Sequence, residues 1–368
     1  MVIFTSICAN YLHKARTLAD SVKLHMPEAR FVVCLLEREV EEAFLHPTFD
    51  EIVLAKDAWE GNFNQFIYKH SIVEASTAVK GQFFRYLYKA YPEETEFIYL
   101  DPDICVYGAF EELSAALKTS PIVLCPHLLQ PGNIDMELSS TAHGVYNLGF
   151  LAVNGSEEAR RFIDWWASRL YLFCYDDILR GIFTDQKWID LAPCFFDTLI
   201  FKHRGYDFGT WSLLDCGMTC ENGVYKVKGD PLRFIHFSGY GATIDKCMRE
   251  WLPQGEHPFR DLYAEYRTKH EQNNLDGISK HPWSYAAYES GQKIDDRLRV
   301  KYRSNYDVMF SLENPFALSN QTMKAKLMKP KTNFGRIIRR IREVYHEEGL
   351  MEVCRKAIRK IKLKLKLK

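Results

Sequence analysis

The chain has 368 residues, of which 47% are hydrophobic and 26% charged, with a formal net charge of zero. The balance is uneven: residues 331–368 hold 13 Lys+Arg against 4 Asp+Glu, which leaves a mildly acidic body without the basic footprint of a nucleic-acid-binding protein. No apolar run reaches the 18 or so residues a transmembrane helix needs.

Ten cysteines form no CxxC pair, and Cys34, Cys105 and Cys125 sit within apolar runs. They read as small buried hydrophobes of a reducing cytosol. Met1 leads straight into Val2-Ile3-Phe4 with no signal-peptide pattern, so the expected location is cytoplasmic.

In chain order, Val2–Cys8 reads as a strand and is followed by Asn10-Tyr11. Leu12 to Met26 has helical spacing, Phe31 to Leu36 is a second strand, Glu37 to Phe44 a helix, and Glu51 to Leu54 a third strand. This alternation predicts a doubly wound α/β fold, and it opens without a GxGxxG fingerprint. Residues 62–91 form a long helical region with a break at Gly81, ended by Pro92.

The next stretch organises the chain. Phe97-Ile98-Tyr99-Leu100 is a buried strand that runs into Asp101-Pro102-Asp103 before Ile104-Cys105-Val106 resumes. Uncompensated burial of charge is costly, so two carboxylates there need a purpose. The carboxyl end of a central strand is where open α/β sheets bind ligands. Two hard oxygen ligands suit Mn²⁺ or Mg²⁺ bridging to phosphates. A helix N-terminus that attracts acids is the bland alternative.

Residues 109–117 read as a helix, 121–125 as a strand, 130–141 as a polar surface loop and 146–153 as a strand containing Asn147 and Gly149. Ser156 caps a helix running to Leu170. Thr184 reads as another cap, with Asp185-Gln186 in the first turn. Residues 205–214 and 224–227 look like short strands, and Leu232–Phe237 is the last, closing on His236-Phe237-Ser238-Gly239. Beyond residue 245 the strand signal gives way to a helical extension over 246–330. The 331–368 segment is an amphipathic basic tail, readable either as a helix packed on the body or as an anchor on an anionic membrane surface.

Several side chains invite chemistry. His236 closes a buried strand and suits Mn²⁺ as a third ligand. Lys80 and Arg85 lead into the Asp101 strand and read either as cations for a diphosphate leaving group or as solvated basic side chains. Asn10 and Tyr11 follow the end of the first strand, where a base can be stacked and hydrogen-bonded. Trp211 suits a sugar face or, more simply, the core.

Taken in order, Asn10-Tyr11, Lys80, Arg85, Tyr99-Leu100-Asp101-Pro102-Asp103-Ile104, Asn147-Leu148-Gly149-Phe150, Asp185-Gln186 and His236-Phe237-Ser238-Gly239 resemble the GT-A glycosyltransferases. The likeness is to the family 8 type and bacterial relatives, and covers residues 1–245. It implies an α/β, Rossmann-like GT-A domain with a mixed central sheet. It implies a Mn²⁺ (or Mg²⁺) site from Asp101, Asp103 and His236, and a UDP-sugar donor held also by Thr5, Asn10, Tyr11, Lys80, Arg85, Asn147, Gly149 and Gly239. Asp185 and Gln186 would stand at the sugar, with retention of configuration. The acceptor would be a glycan or a lipid-linked molecule, in surface polysaccharide synthesis. The family's HxxGxxKPW ending is here His236-Phe237-Ser238-Gly239-Tyr240-Gly241-Ala242, so Lys80 or Lys246 would replace its lysine. A haloacid-dehalogenase-like phosphatase and a non-catalytic nucleotide-sugar-binding module are the rival readings.

Overall fold

The computed structural model describes residues 1–328; the basic tail over 331–368 lies outside them. The described chain forms two compact units. One comprises Met1–Trp59 and Ser76–Trp283, the other Glu60–Ala75 and the residues from Ser284 onward.

The first unit is built on a mixed seven-stranded sheet, the α/β architecture expected. Its strands include β1 (Val2–Ile7), β2 (Arg30–Leu35), β3 (Glu51–Leu54), β4 (Glu96–Leu100), β6 (Ile122–Leu124) and β7 (Phe150–Asn154). The short strand β5 (Ile104–Val106) lies outside this sheet. The spatial order is 3-2-1-4-7-6, closed by residues Leu199–Ile200 beside β6. β1 runs parallel to β2 and β4, whereas β7 is antiparallel to both β4 and β6. The central strands are buried on both faces, which explains their largely apolar runs: β1 is Val-Ile-Phe-Thr-Ser-Ile with every residue buried. Helix α1 (Leu12–His25) covers one face with Leu12, Ala15, Leu18, Ala19 and Val22, all fully buried.

Residues 62–91 fall into three helices, α2 (Phe63–Tyr68), α3 (Ile72–Ala78) and α4 (Lys80–Ala90). The breaks come at Lys69–Ser71 and Val79, and Gly81 lies inside α4. A Cβ on Gly81 would stand 2.7 Å from the Ala167 Cα of helix α7 (Glu157–Phe173), so this glycine permits two helices to pack closely. The expected loop at 130–141 contains a helix, α6 (Ile134–His143), capped by Asn133 accepting from Asp135 N. It buries no residue, so it carries no apolar period to read. Helix α5 (Glu111–Leu117) and the Ser156 cap of α7 follow expectation.

Other expected elements are shorter. Residues 37–44 form only a 3₁₀ turn at Glu42–Phe44. In 205–214, Phe208 makes a single bridge to Ile235 and a 3₁₀ turn follows at Thr210–Asp215. Thr184 is not a cap: it has a φ of +42°, and its hydroxyl donates to Asp185 Oδ1 at 3.1 Å. The helical turn starts only at Lys187. A helix at Ala242–Trp251 directly follows the His236 strand.

The second unit has its own buried polar centre. Arg299, 3% exposed, donates to the carbonyls of Tyr68 and Tyr285, and Arg303 forms a two-pronged pair with Glu74 at 2.9 and 3.0 Å. No helix among the described residues is long and apolar enough to cross a membrane, and none of their nine cysteines is in a disulfide.

Candidate functional site

β4 ends at Leu100, and Asp101 hands its backbone N–H to Gly149 O of the neighbouring strand end at 2.7 Å. Pro102 interrupts the ladder. Ile104 N returns to Asp101 O, and β5 begins in a new direction. β5 pairs antiparallel with Phe234–His236, placing His236 opposite Ile104, while Phe237 N donates to Asp103 O at 2.9 Å. This pairing carries His236 across 130 residues of chain to the two aspartates. Its Nε2 stands 3.1 Å from Asp103 Oδ1 and 3.8 Å from Asp101 Oδ2.

One oxygen from each aspartate and one His236 nitrogen lie within 4.8 Å of one another. Two carboxylates and an imidazole converging at this distance fit a divalent ion with borderline character. Their electrostatics agree. Burial opposes a charge on His236, but the bond and charge of Asp103, with Asp207 and Asp101 behind, raise it to about 10. Burial likewise opposes ionisation of Asp103, yet His236 and Lys14 hold it well below the usual carboxylate range. A positive charge is therefore favoured at the position a metal would take.

Behind this cluster lies a buried cation. Lys80 Nζ is 2.8 Å from Asp185 Oδ2 and 3.5 Å from Asp101 Oδ1. It also donates to Leu148 O at 2.9 Å and stands 4.0 Å from the Tyr99 ring centroid. Its side chain is 2% exposed and that of Asp185 3%. Burial opposes the ammonium, but the two aspartates keep Lys80 raised and charged. Burial pushes Asp185 up against the pull of Lys80. The Tyr99 hydroxyl donates to Asp101 Oδ1, which holds that carboxylate from the strand side. Gln186 completes the set: its Oε1 accepts from Leu148 N at 3.0 Å and its Nε2 donates to His143 O at 3.2 Å.

Asn147 accepts from Gly149 N at 2.6 Å and shapes the turn into β7. The close approach that Gly149 permits is to His236, because a Cβ there would lie 2.3 Å from the imidazole Cε1. Gly239 adopts a φ of +75° in the turn after His236, where a Cβ would meet Thr243 at 2.8 Å.

Of the first-strand candidates, Tyr11 stands at the side of the cluster. Tyr11 is 41% exposed, and Lys14 Nζ lies 4.5 Å from its ring centroid and 3.5 Å from Asp103 Oδ2, so Lys14 links the two regions. The buried Asn10 Oδ1 and Thr5 Oγ1 have no hydrogen-bond partner among the described residues. Arg85 pairs with Asp164 at 2.6 Å and bonds Gln82. Lys246 pairs with Glu250 on its own helix, its side chain 65% exposed. Trp211 sets its ring edge-on to His236, with centroids 5.5 Å apart, and lines a surface cleft with His127, Met136 and Phe208.

Two side chains were missed in the sequence. Lys14 lies on the α1 face one turn beyond Asn10, but a lysine on an amphipathic helix reads as solvated. Asp207 is an acid between Tyr206 and Phe208, and a carboxylate inside an aromatic run was the available signal. It is 3% exposed, and burial raises its pKa to about 6 against the pull of His236.

No protein-family model and no curated protein matches the chain. Among solved structures it is similar to an active-site mutant of LgtC, with a TM-score of 0.43 and 17% identity over 73% of this chain and 95% of that one. It is also similar to the galactosyltransferase LgtC in complex with donor and acceptor sugar analogues, at 0.41 and 17%, covering 73% and 100%. A third is a glycosyltransferase involved in the glycosylation of the major capsid of PBCV-1, at 0.39 and 10%, covering 67% and 98%.

Proposed function

We propose that this chain is a metal-dependent glycosyltransferase that moves a sugar from a nucleotide-diphosphate sugar, a UDP-sugar in the first instance, to a glycan or lipid-linked acceptor. The observation that carries the reading is the convergence of Asp101, Asp103 and His236 beside the end of a central strand, backed by the buried Lys80–Asp185 pair. Mn²⁺ or Mg²⁺ held by those three residues would offset the charge of a diphosphate leaving group.

The chain's own residues have separable parts. Tyr99 and Lys80 orient Asp101 from behind, so its second oxygen faces the His236 side. Lys14, at the edge of the cluster, adds a cation for the diphosphate, and the neighbouring Tyr11 ring offers a face for the base. Asp185 and Gln186 are assigned to the sugar side. Both reach the cluster through one relay, since Lys80 bonds Asp185 and Leu148 O, and Leu148 N bonds Gln186.

The test is release of nucleotide from a panel of UDP-, GDP- and dTDP-sugars by the full chain with Mn²⁺. Hydrolysis should depend on the metal and be abolished in Asp103→Ala. Full activity in EDTA, or in that variant, would refute the proposal.

A further inference from the structure

The imidazole of His236 has two nitrogens, and only Nε2 faces Asp101 and Asp103. Its Nδ1 faces inward, 3.5 Å from Asp207 Oδ1. The Asp207 side chain is 1% exposed, and neither of its carboxylate oxygens has a hydrogen-bond partner among the described residues. A carboxylate is rarely buried in this state without a function.

The backbone around Asp207 is arranged to keep it there. Its φ is +51°, a left-handed conformation uncommon for a residue other than glycine. Its carbonyl accepts from Trp211 Nε1 at 3.2 Å. The next residue, Phe208, accepts from His236 N at 2.8 Å, so Asp207 is tied to the strand that carries the histidine. Trp211 and Gly149 border the same imidazole.

We propose that Asp207 is a positioning residue for the metal centre: its carboxylate, facing His236 Nδ1 at 3.5 Å, holds the ring proton on Nδ1 and so directs the Nε2 lone pair toward Asp101 and Asp103. A ligand histidine whose other N–H is held by a carboxylate has its tautomer and ring orientation set and its basicity raised. The inference rests on the metal-site reading above and does not depend on which sugar, if any, is transferred.

The test is Mn²⁺ binding to the full chain without nucleotide, read by loss of the free-ion electron paramagnetic resonance signal, for wild type and Asp207→Asn. Asparagine has nearly the same shape, tolerates the left-handed conformation at least as well and keeps one acceptor oxygen, while the charge is lost and the second oxygen becomes an amide donor. The expected result is an unchanged melting temperature with Mn²⁺ affinity weaker by about tenfold, within the range of about 10 to 100-fold usual for such partners. Asp207→Leu, which removes the acceptor as well, should weaken it further. It should also change the nitrogen hyperfine coupling of the bound ion, a readout that mere packing would not move. Wild-type affinity in Asp207→Asn would overturn the proposal, as would a wild-type chain that does not bind Mn²⁺ at all. Mn²⁺ binding without sugar-nucleotide hydrolysis would instead refute the glycosyltransferase reading and leave the role of Asp207 standing.

Discussion

Gly149→Ala is the sharpest perturbation of the candidate site. Gly149 is not in the left-handed region, so its substitution adds bulk without backbone strain. The new methyl would stand 2.3 Å from His236 Cε1, 2.7 Å from Nδ1 and 2.8 Å from Asn147 Oδ1. Ordinary contact begins at 3.4 Å, so the imidazole must retreat by about 1.1 Å. It has little room, since it is 5% exposed, with Trp211 edge-on and Asp207 beneath. Overpacking of this kind costs about 1–3 kcal/mol. The loss at the site is larger: metal–ligand distances tolerate only about 0.2 Å, and a displacement of about 1 Å in positioned groups costs about 100-fold. We expect Gly149→Ala to fold with a lowered melting temperature and to lose at least about 100-fold in Mn²⁺-dependent donor hydrolysis. Scanning fluorimetry and a nucleotide-release assay measure the two effects. Wild-type Mn²⁺ affinity in a stably folded Gly149→Ala chain would refute the argument that this glycine exists to seat the histidine.

Three further predictions concern charge. Lys80→Met strands the buried Asp185 carboxylate and withdraws a cation from Asp101, so urea unfolding should show a loss of about 3–5 kcal/mol. Lys80→Met/Asp185→Leu should recover much of it, and equal stability of Lys80→Met and wild type would show the pair to be structurally idle. In the metal-free chain His236 is raised from 6.5 to about 10, so its charge stabilises the fold fully below about 6.5 and this contribution is lost as pH rises through about 10. Stability should therefore fall with rising pH over that window, and His236→Gln should flatten the fall; a decline of the same size in the variant would assign it elsewhere. Mn²⁺ competes with the His236 proton, so its affinity should rise with pH over the same window, by up to about tenfold per unit where one proton is displaced. A pH-independent affinity in a binding titration would exclude His236 as a ligand.

Much of this site was legible as local pattern. Strands buried on both faces read as near-continuous apolar runs, so β1, β2 and β4 show plainly, and a run that ends in Asp101-Pro102-Asp103 must leave the sheet there. The Ser156 cap and the Leu12–Val22 face are equally local, because capping and helical period involve residues three or four apart. Polar α6 and the Thr184 turn escaped notice for the opposite reason: one has no buried face, and the other depends on a backbone angle that residue type does not dictate.

What composition and spacing determined is that two carboxylates stand at a strand end and that a histidine closes a later strand. Which groups meet them was decided by pairings between distant segments. The antiparallel register of β5 with Phe234–His236 brings the imidazole to Asp103, and the packing of α4 against α7 leaves Lys80 between Asp101 and Asp185. The bridge from Phe208 to Ile235 sets Asp207 behind the histidine. Local pattern records whether a residue is buried, while the identity of its neighbour depends on strand register and close packing across the whole core. For that reason the Asp101-Pro102-Asp103 turn was visible in the chain, and the Lys80, Asp185 and Asp207 that complete its surroundings acquired their partners only in the folded molecule.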